Sequence, residues 1–159
     1  MLKGLMKKIR RYEGQTLIET ALILFLLMLI VLGISEFSRA WFVKNSLKNA
    51  ARAGARLAVV TIISNFPSGV GPPFATEVEF TCPNANTILN ATCRAPGVKN
   101  TTDTHVFLKV DDSDSNGSIT PGDTITVRIS RINFESIVPG LFRTFIPSQL
   151  SADSSMRYE

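Results

Sequence analysis

Metal-binding and catalytic side chains are scarce in this chain. Two cysteines, Cys82 and Cys93, and one histidine, His105, occur in 159 residues. There is no CxxC pair and no cluster of cysteine with histidine, which argues against a zinc site. No nucleophile–histidine–acid grouping, phosphate-binding glycine loop or paired catalytic carboxylates can be found, so no enzymatic centre is legible. His105 opens a predicted strand without a partner in sight and reads as a surface or half-buried residue. Proline is absent before Pro67, and Gly33 and Gly54 are the only glycines in residues 16–63. An unbroken helix is the expectation for that stretch. Excess positive charge is also missing from most of the chain. The net charge is +4, and residues 1–14 alone carry +4, so the remainder is neutral. A terminal basic patch of this kind is no argument for a nucleic-acid partner.

What is present begins with an uncharged run, "ALILFLLMLIVLGI", at residues 21–34. At helical rise it spans only about 21 Å, whereas residues 15–35 reach about 32 Å, enough for a hydrocarbon layer of about 30 Å. The longer span takes in Glu19. An ionised carboxylate at a membrane centre costs on the order of 2.5–3.5 kcal/mol, less near an edge, so Glu19 calls for a partner. Lys3, Lys7, Lys8, Arg10 and Arg11 precede the span. They place the N-terminus on the cytoplasmic side and the C-terminal part of the chain outside. Trp41 and Phe42 suit the opposite interface. A cleaved secretory signal fits poorly, because no small-residue cleavage site comes directly after the apolar run and the helical pattern continues past it.

Beyond the span, Lys44, Lys48, Arg52 and Arg56 recur every four residues as a basic stripe. Beside it, Leu47, Ala50, Ala51, Gly54, Ala55 and Ala58 form a small-residue face that permits close approach. That face would pack on the protein's own C-terminal part, on another subunit, or on both along different turns.

Gly14 followed, five positions on, by Glu19, behind a basic leader and ahead of an apolar helix, resembles the processing site of type IV-like prepilins. The resemblance implies that a prepilin peptidase cuts between Gly14 and Gln15. Glu19 then becomes the fifth residue of the mature chain. It would pair with the new amino terminus of a neighbouring subunit, which supplies the missing partner for its charge. Common prepilins carry an aromatic residue directly after the cut, where this chain has Gln15.

Residues 65–73, "NFPSGVGPP", read as a helix stop and linker. After them come β-like runs at residues 75–82, 105–110 and 123–134, with Ile125, Val127, Ile129 and Ile132 mostly on one face. Cys82 and Cys93 flank a polar loop that a disulfide would staple, which suits an oxidising compartment. The most chemical segment is "DDSDSNGSITPGD", residues 111–123. Asp112, Asp114, Asn116, Ser118 and Asp123 fall at positions 1, 3, 5, 7 and 12 of a loop that resembles an EF-hand, with calcium as candidate cation. The other reading is a hydrophilic hairpin turn.

The Pro139-Gly140 turn, the terminal "SSMRYE" and the earlier "AARAGARLA" are similar to TadE-like proteins, minor pilins or pseudopilins of the Tad (Flp-type) pilus. The resemblance covers residues 10–64 and 125–159. In this reading Met156 and Tyr158 lie on a final half-buried strand, and Phe142, Phe145 and Ile146 fill the core or cover a neighbour.

The expected fold is α+β: a long N-terminal helix, membrane-embedded in its first half, followed by a small antiparallel β-rich head. The segments are a leader at 1–14, the helix at 15–64, a linker at 65–73 and the head at 74–159. The resemblance implies an accessory pilin in the bacterial inner membrane with its head outside. Its partners would be other pilin subunits, prepilin peptidase, the pilus assembly platform and its ATPase. The alternative is an uncleaved single-pass anchor carrying a calcium-dependent binding head.

Overall fold

The computed structural model describes residues 2–61, 65–71, 74, 76–134 and 147–158, with side chains from Gly14 onward. The chain divides into two compact units, residues 1–38 and 39–159. One helix, α1 (Leu2–Val60), contributes to both. Thr61 is already outside it and turns its hydroxyl back to the Leu57 carbonyl. Residues 62–64 of the expected helix lie outside the described residues.

In the first unit, α1 carries apolar side chains all round. Leu17, Ile18, Leu22, Ile23, Leu24, Phe25, Leu26 and Leu27 are each more than half exposed. A helix that is hydrophobic on every side must be buried by something, and from Leu17 to Met28 no side chain is covered. This is the one helix among the described residues long and apolar enough to cross a membrane.

The second unit is a four-stranded antiparallel sheet of order β1-β2-β3-β4, packed with the C-terminal half of α1 and a short helix. β1 is Val78–Thr81, α2 is Thr87–Cys93, β2 is Thr104–Asp111, β3 is Thr124–Arg131 and β4 is Leu150–Arg157. The architecture is the expected α+β arrangement. Alternation does the work in the two central strands: Val106, Leu108 and Val110 of β2 and Ile125, Val127 and Ile129 of β3 all point into the core. Val106 stands opposite Ile129 and Leu108 opposite Val127. Ile132 is not on that face. It comes just after the end of β3, is half-buried, and gives its N–H to the Asp103 carbonyl. Asn133 then takes φ 57, turning the chain so that Phe134 returns to the core.

Three elements differ from expectation in extent. β1 is four residues rather than the whole of 75–82. The segment between the cysteines is not simply a loop: Asn86 caps α2 by accepting the Ile88 N–H, and Ile88, Leu89, Thr92 and Cys93 are buried. β4 runs from Leu150, well before Met156, pairing in register with β3 along its length. Met156 and Tyr158 are half-buried and packed on the core. The Pro139-Gly140 turn and the packing of Phe142, Phe145 and Ile146 lie outside the described residues.

Candidate functional site

The candidate processing and assembly site lies in the first unit, on the exposed start of the described side chains. Gly14, Gln15 and Glu19 are all exposed. A Cβ at Gly14 would meet nothing within 4 Å, so its smallness answers no packing need among the described residues. Glu19 makes no ion pair among the described residues. One helical turn separates it from Gln15 within the continuous helix α1, where the Thr20 hydroxyl donates to the Thr16 carbonyl at 2.8 Å. Glu19 and Gly14 thus stand on the open surface of the helix, with no contact among the described residues that accounts for either.

In the second unit, the small-residue face of α1 is fully covered. Leu47 is 1% exposed, and Ala50, Ala51, Ala55 and Ala58 are 0% exposed. Gly54 sits where a Cβ would collide with the Thr92 hydroxyl of α2 and come within 3.2 Å of Val127 on β3. The head thus seats α2 and the centre of the sheet on this face. Lys44, Lys48, Arg52 and Arg56 are left exposed. Nearer the start of this unit, Ser46 and Phe42 approach Gly97, whose φ of +80 and close contacts both require glycine.

Cys82 and Cys93 are joined by a disulfide, with Cα atoms 5.8 Å apart. It ties the end of β1 to the end of α2, so the cross-link holds a helix onto the sheet edge.

The acidic hairpin between β2 and β3 gathers Asp112, Asp114 and Asp123, with one oxygen from each within 4.8 Å of the others. Their lone pairs already have donors. Asp112 accepts the N–H groups of Asn116 and Gly117, the latter at 2.8 Å. Asp114 accepts the Asn116 amide nitrogen at 2.6 Å. Asp123, 1% exposed, accepts the N–H of Ser113 at 2.8 Å and of Thr120 at 2.7 Å. Asn116 accepts the Ser118 N–H at 2.7 Å. The loop is therefore laced by its own backbone, and Ile119 anchors it as a buried plug. The Gly117 N–H is the largest influence holding the Asp112 carboxyl below its ordinary value.

Sequence reasoning missed the outer-face contacts. Arg128 lies over the Phe107 ring at 4.4 Å and pairs with Glu77, while His105 Nδ1 bonds Glu79 at 2.6 Å. Cross-strand register was the available signal: Phe107 stands directly opposite Arg128.

Comparison with known proteins bears on the helix. The family described as TadE-like protein matches residues 14–56. The match supports the TadE-like assignment. It starts at Gly14 and ends at Arg56, so it covers the apolar span, most of the small-residue face and the whole basic stripe. The C-terminal residues 125–159, on which the resemblance also rested, lie outside the matched segment. No curated protein and no solved structure gives a significant match. The match suggests a Tad pilus-associated protein, and the one helix among the described residues long and apolar enough to cross a membrane suggests membrane anchoring.

Proposed function

We propose that the protein is an accessory (minor) pilin or pseudopilin of a Tad-type pilus. Residues 1–14 are a leader removed by prepilin peptidase between Gly14 and Gln15. Residues 15–64 are the helix, stored in the bacterial inner membrane through its first half. Residues 65–73 link it to a head, 74–159, on the outer side. Assembly draws the helix out of the lipid into a filament used for adhesion or secretion, by way of an assembly platform and its ATPase.

The carrying observation is the family match that begins at Gly14 and runs along a helix whose first part exposes apolar side chains on every side. Such a surface needs lipid or neighbouring helices as its solvent. Glu19 supplies register. Its charge is tolerable in a low-dielectric bundle only beside a cation, and the ammonium of Gln15 on an adjacent subunit is created by the cut itself.

Intact mass of the membrane-extracted chain tests the cleavage. The expected species starts at Gln15 in cells with the peptidase, and Gly14→Leu leaves the leader attached. Glu19→Gln should be processed normally yet be missing from sheared filaments. A chain that keeps Met1 beside an active peptidase replaces this reading with the uncleaved single-pass anchor.

A further inference from the structure

The exposed side of α1 in the second unit has a charge pattern that folding does not use. Lys44, Lys48, Arg52 and Arg56 line one face, and no acidic residue occurs between Glu36 and Glu77. Like charges four residues apart on a helix repel. None of the four forms an ion pair among the described residues.

A complementary surface exists elsewhere on the same unit. The hairpin between β2 and β3 carries Asp111, Asp112, Asp114 and Asp123, and only Lys109 and Arg157 stand beside it as counter-charges among the described residues. Lys109 pairs with Asp111, and Arg157 bonds the Gly122 carbonyl at 3.1 Å. Asp111 and Asp114 are exposed, Asp112 partly so. The loop keeps an excess of negative charge at its tip.

Within one copy the two surfaces are out of step. α1 and β3 run antiparallel: Arg39 lies over the Phe134 ring at 5.2 Å, and Gly54 faces Val127. Thr124, three residues before Val127, is then level with about residue 60, and the acidic loop lies at or beyond the end of α1. The centre of the basic stripe falls about 15 Å back along the helix.

We infer that the basic stripe of one copy receives the acidic β2–β3 loop of a second copy shifted along the helix axis. The contact is heterologous, loop to helix flank, and a contact of this type that does not close on itself propagates an open array. This deepens the filament reading by naming a head-to-head contact outside the membrane. Anionic lipid is the competing occupant, and the stripe's length of about 18 Å exceeds twice the Debye length of about 8 Å, so a headgroup plane crossed by the helix would hold only its first turns.

The test uses the full chain, prepared unlabelled and 15N-labelled, mixed equally and reconstituted in phosphatidylcholine vesicles. A carbodiimide joins touching amines and carboxylates without a spacer. Cross-linked peptides joining Lys44 or Lys48 to Asp111, Asp112 or Asp114 are expected, about half of them mixed-isotope as random pairing requires. They should vanish in 1 M NaCl, where the Debye length is about 3 Å. Lys48→Glu should remove its cross-links at least tenfold. Adding Asp114→Lys should restore a product between positions 48 and 114 with the amine and carboxylate exchanged, and protected β3 amides should show that both variants fold. Single-isotope products alone, no products, or products lost when phosphatidylglycerol replaces a third of the lipid would each overturn the inference. Because the readout needs no leader removal, a failed processing test leaves it standing, and its failure leaves the processing reading intact.

Discussion

Two halves of one helix obey opposite rules. From Leu17 to Met28 the large side chains are all exposed in the isolated chain, with Leu24 at 59% and Phe25 at 64%. From Val43 to Ala58 one face is sealed, and half of its buried residues are alanine. The difference lies in the intended solvent. Large apolar residues on every side suit hydrocarbon, which provides no reason to bury one face against another. Small residues on a single face suit a protein neighbour, because the gain comes from how near the backbone can come. Gly54 is the extreme case, with Thr92 and Val127 occupying the space a Cβ would need.

The same substitution made in each half should break the symmetry most sharply. Leu47→Ala removes a side chain that is 1% exposed, and a loss of about 2–5 kcal/mol in head stability is expected. Leu24→Ala should leave the head within about 0.5 kcal/mol of the parent. Denaturant titration of the detergent-solubilised chain, followed by hydrogen exchange of β3 amides, reads both. If the two variants lost equal protection, the halves would not be independent.

A second effect belongs to the head alone. Replacing Cys82 and Cys93 by serine removes a cross-link between positions 11 apart, and the chain-entropy account gives a loss of about 2–3 kcal/mol. The first half of α1 should keep its full helical circular dichroism while α2 amides lose protection first. Asn86→Ala, which removes the α2 cap, should cost about 1 kcal/mol and shift the same amides without touching the strands.

Legibility differed between the halves for physical reasons. The membrane half could be read because its signal is composition, and the small-residue face because its signal is spacing. Strands β2 and β3 announced themselves by β-branched alternation. Helix α2 did not, since "TILNATC" is short and its apolar residues are few; the signal was Asn86 one position before it, a capping residue read as loop polarity. Strand β4 was legible only at its end. "LSADSSMR" has weak strand propensity and is held by pairing with β3, a tertiary effect that local sequence does not carry. The acidic loop was legible as a set of residues and ambiguous as chemistry, because the oxygen-rich residues that ligate a hard cation also accept the backbone N–H bonds of a tight turn.

The smallest expected effect tests which of these the Asp112 carboxylate does in the folded head. The Gly117 N–H, bonded to it at 2.8 Å, leads the causes that hold its carboxyl below the ordinary 3.8. A group whose folded value is depressed contributes stability that is fully present above the unfolded value. That contribution fades as pH falls below 3.8 toward the lower folded value. Asp112→Asn keeps one acceptor oxygen but removes the charge and the titration. The parent head should therefore lose stability more steeply than the variant as pH drops from 5 to 3, and the two should differ most above pH 5. Because Asp112 is partly exposed to solvent, the difference will be small and screened by salt. Parallel melts in 20 mM and 500 mM NaCl check it: a gap between parent and variant that is unchanged from pH 7 to pH 3 would mean that Asp112 holds the turn by shape alone, with its charge serving no part in closing the loop.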